Sequence, residues 1–400
     1  KLCKTYKIHK GKRDMRQLSK VVSELKASPV REMYDLASQT ENLLDFTLGE
    51  PDFDTPDEIK NAAVEALKLN KTHYTHNAGI YELREAVSTY INRYCNITAD
   101  PEREIFIGAG ATEVLSPVIR ALIEKGDEVI IQTPMWPTVI GQIDVCGGTV
   151  ISVELKEKNE FVLKAEDIEK KISEKTKLII MNTPQNPTGA VIPREEQIKI
   201  AELAVKYDLF LIADEVYHRF VYDDVEHFSI ASEQKYKNRV ITIGSLSKTF
   251  AMTGWRLGYG IGNPYLIERI TKLHEFYSSC TNTFAQYGAV EALAGKGNFV
   301  SYMLDEYDKR RKFITEAVNT IKDIQCRPPK GAFYAFISIK ETGLTSMEFC
   351  QRLLKETGVA LAPGIGFGKE GDGYVRLCYA NAMEKLKAGA ERMDRFCQKI

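Results

Sequence analysis

Lys248 sits in the stretch GSLSKTFAMTGWR, residues 244–256, behind Ser245 and Ser247 and ahead of Arg256. The preceding NRVITIG, with Val240, Ile241 and Ile243, has the β-branched composition of a short buried strand. A lysine just past the end of such a strand faces a cleft. Partial loss of water there drives its ammonium toward the neutral form, and a neutral lysine is a nucleophile that can form an imine. Two other short apolar runs end in groups that can do chemistry, KLIIMN in Asn182 and DLFLIAD in Asp214. An aspartate after FLIA is costly to bury without a partner. Arg256, and Arg376 in GYVRLCYA, carry planar forks that match a phosphate or a carboxylate with two parallel bonds.

Strand and helix must alternate to bring these groups together. Between KLIIMN and DLFLIAD lies PREEQIKIAELAVKYD, where Ile198, Ile200, Ala201, Ala204 and Val205 form a helical stripe after a proline and two acids. That order makes βαβ units and a parallel sheet, whose ligands bind beyond the carboxyl ends of the strands. Asn182, Asp214 and Ser245 share that edge. GAGATEVLSPVIRALIEKGDEV follows the strand-like REIFI and carries apolar residues at helical spacing from Val114 to Ile123, with Gly126 expected to close the helix. Gly108 and Gly110 fall at the turn into it, where amides and the helix dipole favour a phosphate. TPDEIKNAAVEALK reads as a helix with a capping box, Thr55 as the cap and Glu58 three residues on. KGAFYAFIS and GYVRLCYA read as strands of a second unit, separated by the amphipathic SMEFCQRLLKET. On its strand Arg376 faces away from the core side taken by Val375 and Leu377, and the preceding GIGFGKEGDG loop suggests a cleft edge.

Composition narrows the function classes. The 400 residues are 44% hydrophobic, without an apolar run near the ~18 residues that span a bilayer. The 54 basic and 55 acidic residues are well mixed, which argues against a nucleic-acid face or a polybasic membrane anchor and for a small, neutral-to-acidic substrate. The cysteines are scattered with no CxxC pair, and the histidines show no metal spacing and no triad. They read as reduced core cysteines of a cytoplasmic protein and as loop histidines, so no metal site is expected. Residues 1–14, KLCKTYKIHKGKRD, lack the apolar centre of a secretory signal and read as an upstream segment before Met15.

Taken together, the lysine stretch, NTPQNPTG at 182–189 and ADEVY at 213–217 resemble the class I/II pyridoxal-phosphate-dependent aminotransferases, in the aspartate-aminotransferase-like branch of fold type I. The resemblance runs from LGEPDF at 48–53 to VRLCYA at 375–380. It implies an α/β fold with a mainly parallel-sheet large domain over residues 46–300 and a smaller α+β domain over 301–400. Residues 15–45 would be an N-terminal arm that contributes to the small domain.

The resemblance also assigns roles, residue by residue. Lys248 would hold the aldehyde of pyridoxal 5'-phosphate as a Schiff base and shuttle the substrate's Cα proton, moving an amino group from an L-amino acid to a 2-oxo acid. Asp214 would pair with the ring nitrogen, and Tyr217 and Asn186 would bond the ring's 3-oxygen. Gly110, Ala111, Thr112, Ser245, Ser247 and Arg256 would hold the phosphate end, and Trp136 would stack on the ring. Tyr74 would reach the phosphate bound by a partner subunit, which implies a homodimer with composite active sites. Arg376 would grip the substrate α-carboxylate, with Gly49 and Asn186 beside it. A β-eliminating lyase or cyclopropane-forming synthase, which keeps the same lysine and aspartate, is the alternative. Relatives that prefer aspartate place a second cation near the substrate. The matching places here, residues 276–284 (FYSSCTNTF) and Thr112, hold none, so a neutral donor is expected, large or aromatic given Phe53, Tyr277 and Phe333.

Overall fold

The apolar runs become a seven-stranded sheet: β1 (Ile105–Gly108), β2 (Glu128–Thr133), β3 (Thr149–Glu154), β4 (Thr176–Asn182), β5 (Phe210–Asp214), β6 (Val240–Ser245) and β7 (Gly258–Ile261). The structure, a computed structural model, describes residues 18–24, 28–295 and 297–400. The expectation about residues 1–14 lies outside them. Spatial order across the sheet is β1-β7-β6-β5-β4-β2-β3. Strands β3, β2, β4, β5 and β6 run parallel, and β7 is antiparallel to both of its neighbours. The central strands are buried on both faces, which is why they read as continuous apolar runs and not as alternation.

The helices that position the site are α1 (Pro29–Ala37), α2 (Asp57–Lys68), α3 (Ala111–Leu122), α4 (Pro137–Cys146), α5 (Arg194–Lys206), the single turn α6 (Leu246–Thr249) and α7 (Ser346–Thr357). A second sheet carries β8 (Tyr334–Ser338) antiparallel to β9 (Tyr374–Cys378), flanked by the two-residue strands Gln325–Cys326 and Ala362–Pro363. Its inner face shares one apolar core with Met33 and Ala37 of α1, Phe46, and Phe349 and Leu353 of α7. Helix α7 starts with a true capping box, Thr345 and Glu348 exchanging bonds with each other's amides.

Local expectations fail in three places. Thr55 does not cap α2. Its hydroxyl donates to the Ala251 carbonyl at 2.6 Å and accepts from Trp255 Nε1 at 3.1 Å, tying that loop to the segment after Lys248, and Pro56 takes the cap position. Helix α3 ends at Leu122, short of Gly126, because Ile123 turns extended and buries its side chain. On α5 the inward face is Gln197, Ile200, Ala201, Leu203 and Ala204, while Val205 is exposed. Gln197 can be buried there because its amide donates to the carbonyls of Ile192 and Phe228, both at 2.9 Å.

Candidate active site

At the carboxyl ends of β4, β5 and β6 the chain leaves a cavity of about 510 Å³. Parallel register puts Asn182 beside Asp214 and Asp214 beside Ile243, so the polar strand ends converge by pairing alone. Ser245 then caps α6, its hydroxyl accepting from the Ser247 amide at 3.1 Å. That turn delivers Lys248 into the cavity, where Nζ donates to the carbonyl of Gly49. Desolvation lowers the Lys248 pKa to about 8, near enough to neutrality for a substantial share of free amine.

Asp214 lines the same cavity. Loss of water raises its carboxyl to about 7, against the pull of the Val216 amide at 3.3 Å from Oδ1. Among the described residues it has no cationic partner, which leaves room for a protonated ring nitrogen. The Tyr217 and Tyr334 hydroxyls lie 2.7 Å apart, and burial pushes the Tyr217 phenol up. The Asn186 amide donates to Asn182 Oδ1 at 2.9 Å, and its own Oδ1 accepts from Arg376 Nη1 at 2.9 Å.

Arg376 is 1% exposed, yet no carboxylate among the described residues pairs with it. Nη2 donates to the Thr47 carbonyl, Nε has no partner, and the guanidinium lies over the rings of Tyr334 and Phe367 at 4.6 and 4.9 Å. A buried cation without its anion is expensive, so this geometry asks for a bound carboxylate. Phe367 comes from the Gly-rich loop before β9, whose carbonyl there accepts from the Met135 amide at 2.8 Å. That contact joins the loop to the segment carrying Trp136, itself 36% exposed on the cavity wall.

The anion end is built at α3. Arg256 has a left-handed φ of 52° and bonds the Thr253 carbonyl at 2.9 Å and that of Ala109 at 3.4 Å. Gly110, at φ 82°, lies beneath it, and a Cβ there would stand 2.3 Å from Arg256 Nη2. Ala111 and Thr112 line the cavity with amides that a helix leaves unpaired in its first turn. Ser245, Ser247 and Arg256 line it too. Unpaired amides, a guanidinium with no acid beside it among the described residues, and a glycine cradle form a site that fits a phosphate.

The cavity thus gathers Gly49, Ala111, Thr112, Trp136, Asn186, Asp214, Tyr217, Ser245, Ser247, Lys248, Arg256 and Arg376. Gly110 supports the wall without lining it. Tyr74 is apart, 89% exposed beside a surface depression formed with Thr281 and Asn282. The aromatic residues expected to shape the substrate end are not on the wall. Phe53 packs on Phe299, Tyr302 and Tyr307, Tyr277 is half exposed, and Phe333 is fully buried in the core. The wall carries Tyr34, Trp136 and Tyr334 instead, with Val30, Leu48 and Val139.

The sequence reading does not single out Thr47 or Tyr334. Alternation along the strand separates Tyr334 from Phe333, and the register then decides between them: Phe336 pairs with Arg376 and Tyr334 with Cys378, which puts Tyr334 on the arginine's face and Phe333 on the other. Gly49 is required by the same tyrosine, since a Cβ would stand 2.2 Å from its hydroxyl. Behind Asp214, Cys95, Glu215 and His227 bring one donor atom each within 4.8 Å of one another, and the Glu215 oxygens already accept from Ser229 at 2.8 Å and meet His227 Nε2 at 3.1 Å.

Residues 41–393 match the family model for aminotransferases of class I and II. An aspartate aminotransferase of Pyrococcus abyssi is 43% identical over 370 residues, 92% of this chain and 95% of that protein. An aromatic-amino-acid aminotransferase of Thermococcus litoralis is 40% identical over 94% of this chain and 97% of its own length. The solved structure of an aromatic aminotransferase from Pyrococcus horikoshii superposes with a TM-score of 0.88 at 41% identity, covering 92% of this chain and 99% of that one. With Lys248, Asp214 and a counter-ion-less Arg376 facing one cavity, these matches place the chain in the class I and II aminotransferases, pyridoxal-phosphate-dependent transaminases of fold type I.

Proposed function

We propose that this aminotransferase takes a neutral L-amino acid with a large apolar or aromatic side chain as its preferred donor. The observation that carries this is the lining that the buried Arg376 shares with Val30, Tyr34, Leu48, Trp136 and Val139, which offer apolar surface. Arg376 accepts the donor's α-carboxylate as its missing counter-ion, and Asn186 holds that guanidinium in place. A second carboxylate against those five side chains would lose its water with no charge among them to replace it; among the described residues the remaining cation on the lining, Arg31, is solvent-exposed.

Pyridoxal 5'-phosphate supplies, when bound, an aldehyde that condenses with amines and a ring that draws electrons from the bonds at Cα. Its phosphate fits between the first turn of α3, Ser245, Ser247 and Arg256. Asp214 is the carboxylate for the ring nitrogen; its pKa, raised while unpaired, falls once a cation sits beside it. Tyr217 and Asn186 would donate to the 3-oxygen, and Trp136 would stack on the ring. Lys248 would hold the cofactor through Nζ and, as a free amine, would carry the proton at the substrate Cα.

Tyr74, exposed on one chain, would reach a partner's phosphate in a homodimer, a reading that the exposed Leu69, Phe276 and Tyr277 support as interface surface. Cytoplasmic residence is supported by the free cysteines, and among the described residues no helix is long and apolar enough to cross a membrane. The seven-stranded and four-stranded sheets support a division into a large domain over 46–300 and a small domain over 301–400.

The test compares kcat/KM for L-phenylalanine with that for L-aspartate. At least a tenfold preference for phenylalanine is expected, about 1.4 kcal/mol in transition-state binding, with Lys248→Ala losing several orders of magnitude on both. A preference for aspartate, or near-normal turnover by Lys248→Ala, sinks the reading.

A further inference from the structure

Four cationic side chains line the cavity among the described residues: Lys248, Arg256, Arg376 and Arg31. The first three have roles in the reading above, on which this inference rests. Arg31 has none. It lies on α1, whose Val30 and Tyr34 line the cavity with it, and its guanidinium stacks over the Tyr34 ring at 4.8 Å. Its side chain is 69% exposed and bonds one acid, Asp35, through Nε at 3.1 Å. Among the described residues Nη1 and Nη2 have no partner, so the bidentate face of the fork is open.

We propose that Arg31 is the specificity-determining cation for a dicarboxylic 2-oxo acid acceptor. Arg376 stands at the buried floor of the cavity and Arg31 at its open rim, both facing the same space. An acceptor with a carboxylate at each end has one cation for each. The α-carboxylate takes the floor, where desolvation makes the bond strong, and the distal carboxylate stays at the wet rim. The pair with Asp35 is exposed and contributes little to stability, so Arg31 leaves it readily when a carboxylate arrives. A neutral donor makes no demand on Arg31, and the apolar residues of the same lining serve its side chain. One cavity thus serves a neutral donor and a dicarboxylic acceptor without a charge buried in the wall.

The acceptor specificity of the cofactor-loaded enzyme tests this, with 2-oxoglutarate and pyruvate as probes. Arg31→Gln should lower the ratio of kcat/KM for 2-oxoglutarate over pyruvate tenfold or more, and Arg31→Lys should restore part of it. Asp35→Asn, which frees the guanidinium, should raise the ratio twofold or more. Glutarate binding, read by tryptophan fluorescence with butyrate as control, needs no turnover; its Kd should rise tenfold or more in Arg31→Gln. An unchanged ratio, or equal losses for both acceptors, overturns the assignment, as does an unchanged glutarate Kd. A preference for L-aspartate over L-phenylalanine with these Arg31 effects intact would support Arg31 and strike the donor reading instead.

Discussion

The Tyr334 hydroxyl stands 2.7 Å from that of Tyr217, while the Tyr334 ring lies under the Arg376 guanidinium at 4.6 Å. One side chain therefore touches both the group read as donor to the ring's 3-oxygen and the group read as holding the α-carboxylate. Its two parts are separable. Tyr334→Phe removes the hydroxyl and keeps the ring, so kcat should fall severalfold with KM for the amino acid nearly unchanged. The lost hydrogen bond should cost about 1 kcal/mol of stability. Tyr334→Leu also removes the ring and should raise KM. Equal effects of the two variants on KM would show that the ring does not support Arg376.

Asp214 predicts a pH dependence for the cofactor-free protein. Its folded pKa is raised to about 7 from an ordinary 3.8, so the folded state holds the proton more tightly than the unfolded chain does. Stability is then full below the unfolded value and falls as pH rises through the window between the two. Asp214→Asn should abolish that loss and be more stable than the parent at pH 8 by on the order of 1 kcal/mol or more. Thermal unfolding of both apo-proteins at pH 4.5 and 8 checks it. A parent protein whose stability rises across that window while the variant's stays flat would contradict the assignment.

Much of this site is legible from residue order, because parallel strands of similar length end level. KLIIMN, DLFLIAD and RVITIGS each end in a polar residue, and pairing aligns those ends without further information. The glycine turn before α3 is equally local. What escapes is contact made by distant loops. Thr55 reads as a cap, but a partner 196 positions away takes its hydroxyl. Phe333 reads as wall and is core, because the register of β8 on β9, which local composition does not encode, decides its face. Arg31 lies far before every motif and becomes visible only when α1 packs over the cavity rim.

Gly110 tests the phosphate cradle. Its φ of 82° already disfavours any side chain, and an added Cβ would fall 2.3 Å from Arg256 Nη2. Gly110→Ala should displace the guanidinium and weaken pyridoxal 5'-phosphate binding tenfold or more, read as an equilibrium Kd. Gly126→Ala is the control for backbone strain alone, since φ there is also positive, at 98°, with no atom within 4 Å. Similar Kd values for the two variants would remove Arg256 from the phosphate site.

Tyr74 carries the prediction about assembly. Tyr74 is 89% exposed and lines a surface depression separate from the cavity that holds Lys248. If it reaches a partner's phosphate, each active site of a homodimer draws Lys248 from one chain and Tyr74 from the other. A hybrid of Lys248→Ala and Tyr74→Ala chains then holds one site with both defects and one with neither. Mixing the two inactive homodimers under exchange should restore activity toward half the parental value per hybrid, and dilution into monomers should weaken cofactor binding with it. Tyr74→Ala must be severe on its own for the experiment to speak, so its Kd for the cofactor is measured first. Hybrids shown by mass to have formed, yet no more active than either parent, would mean that each chain completes its own site.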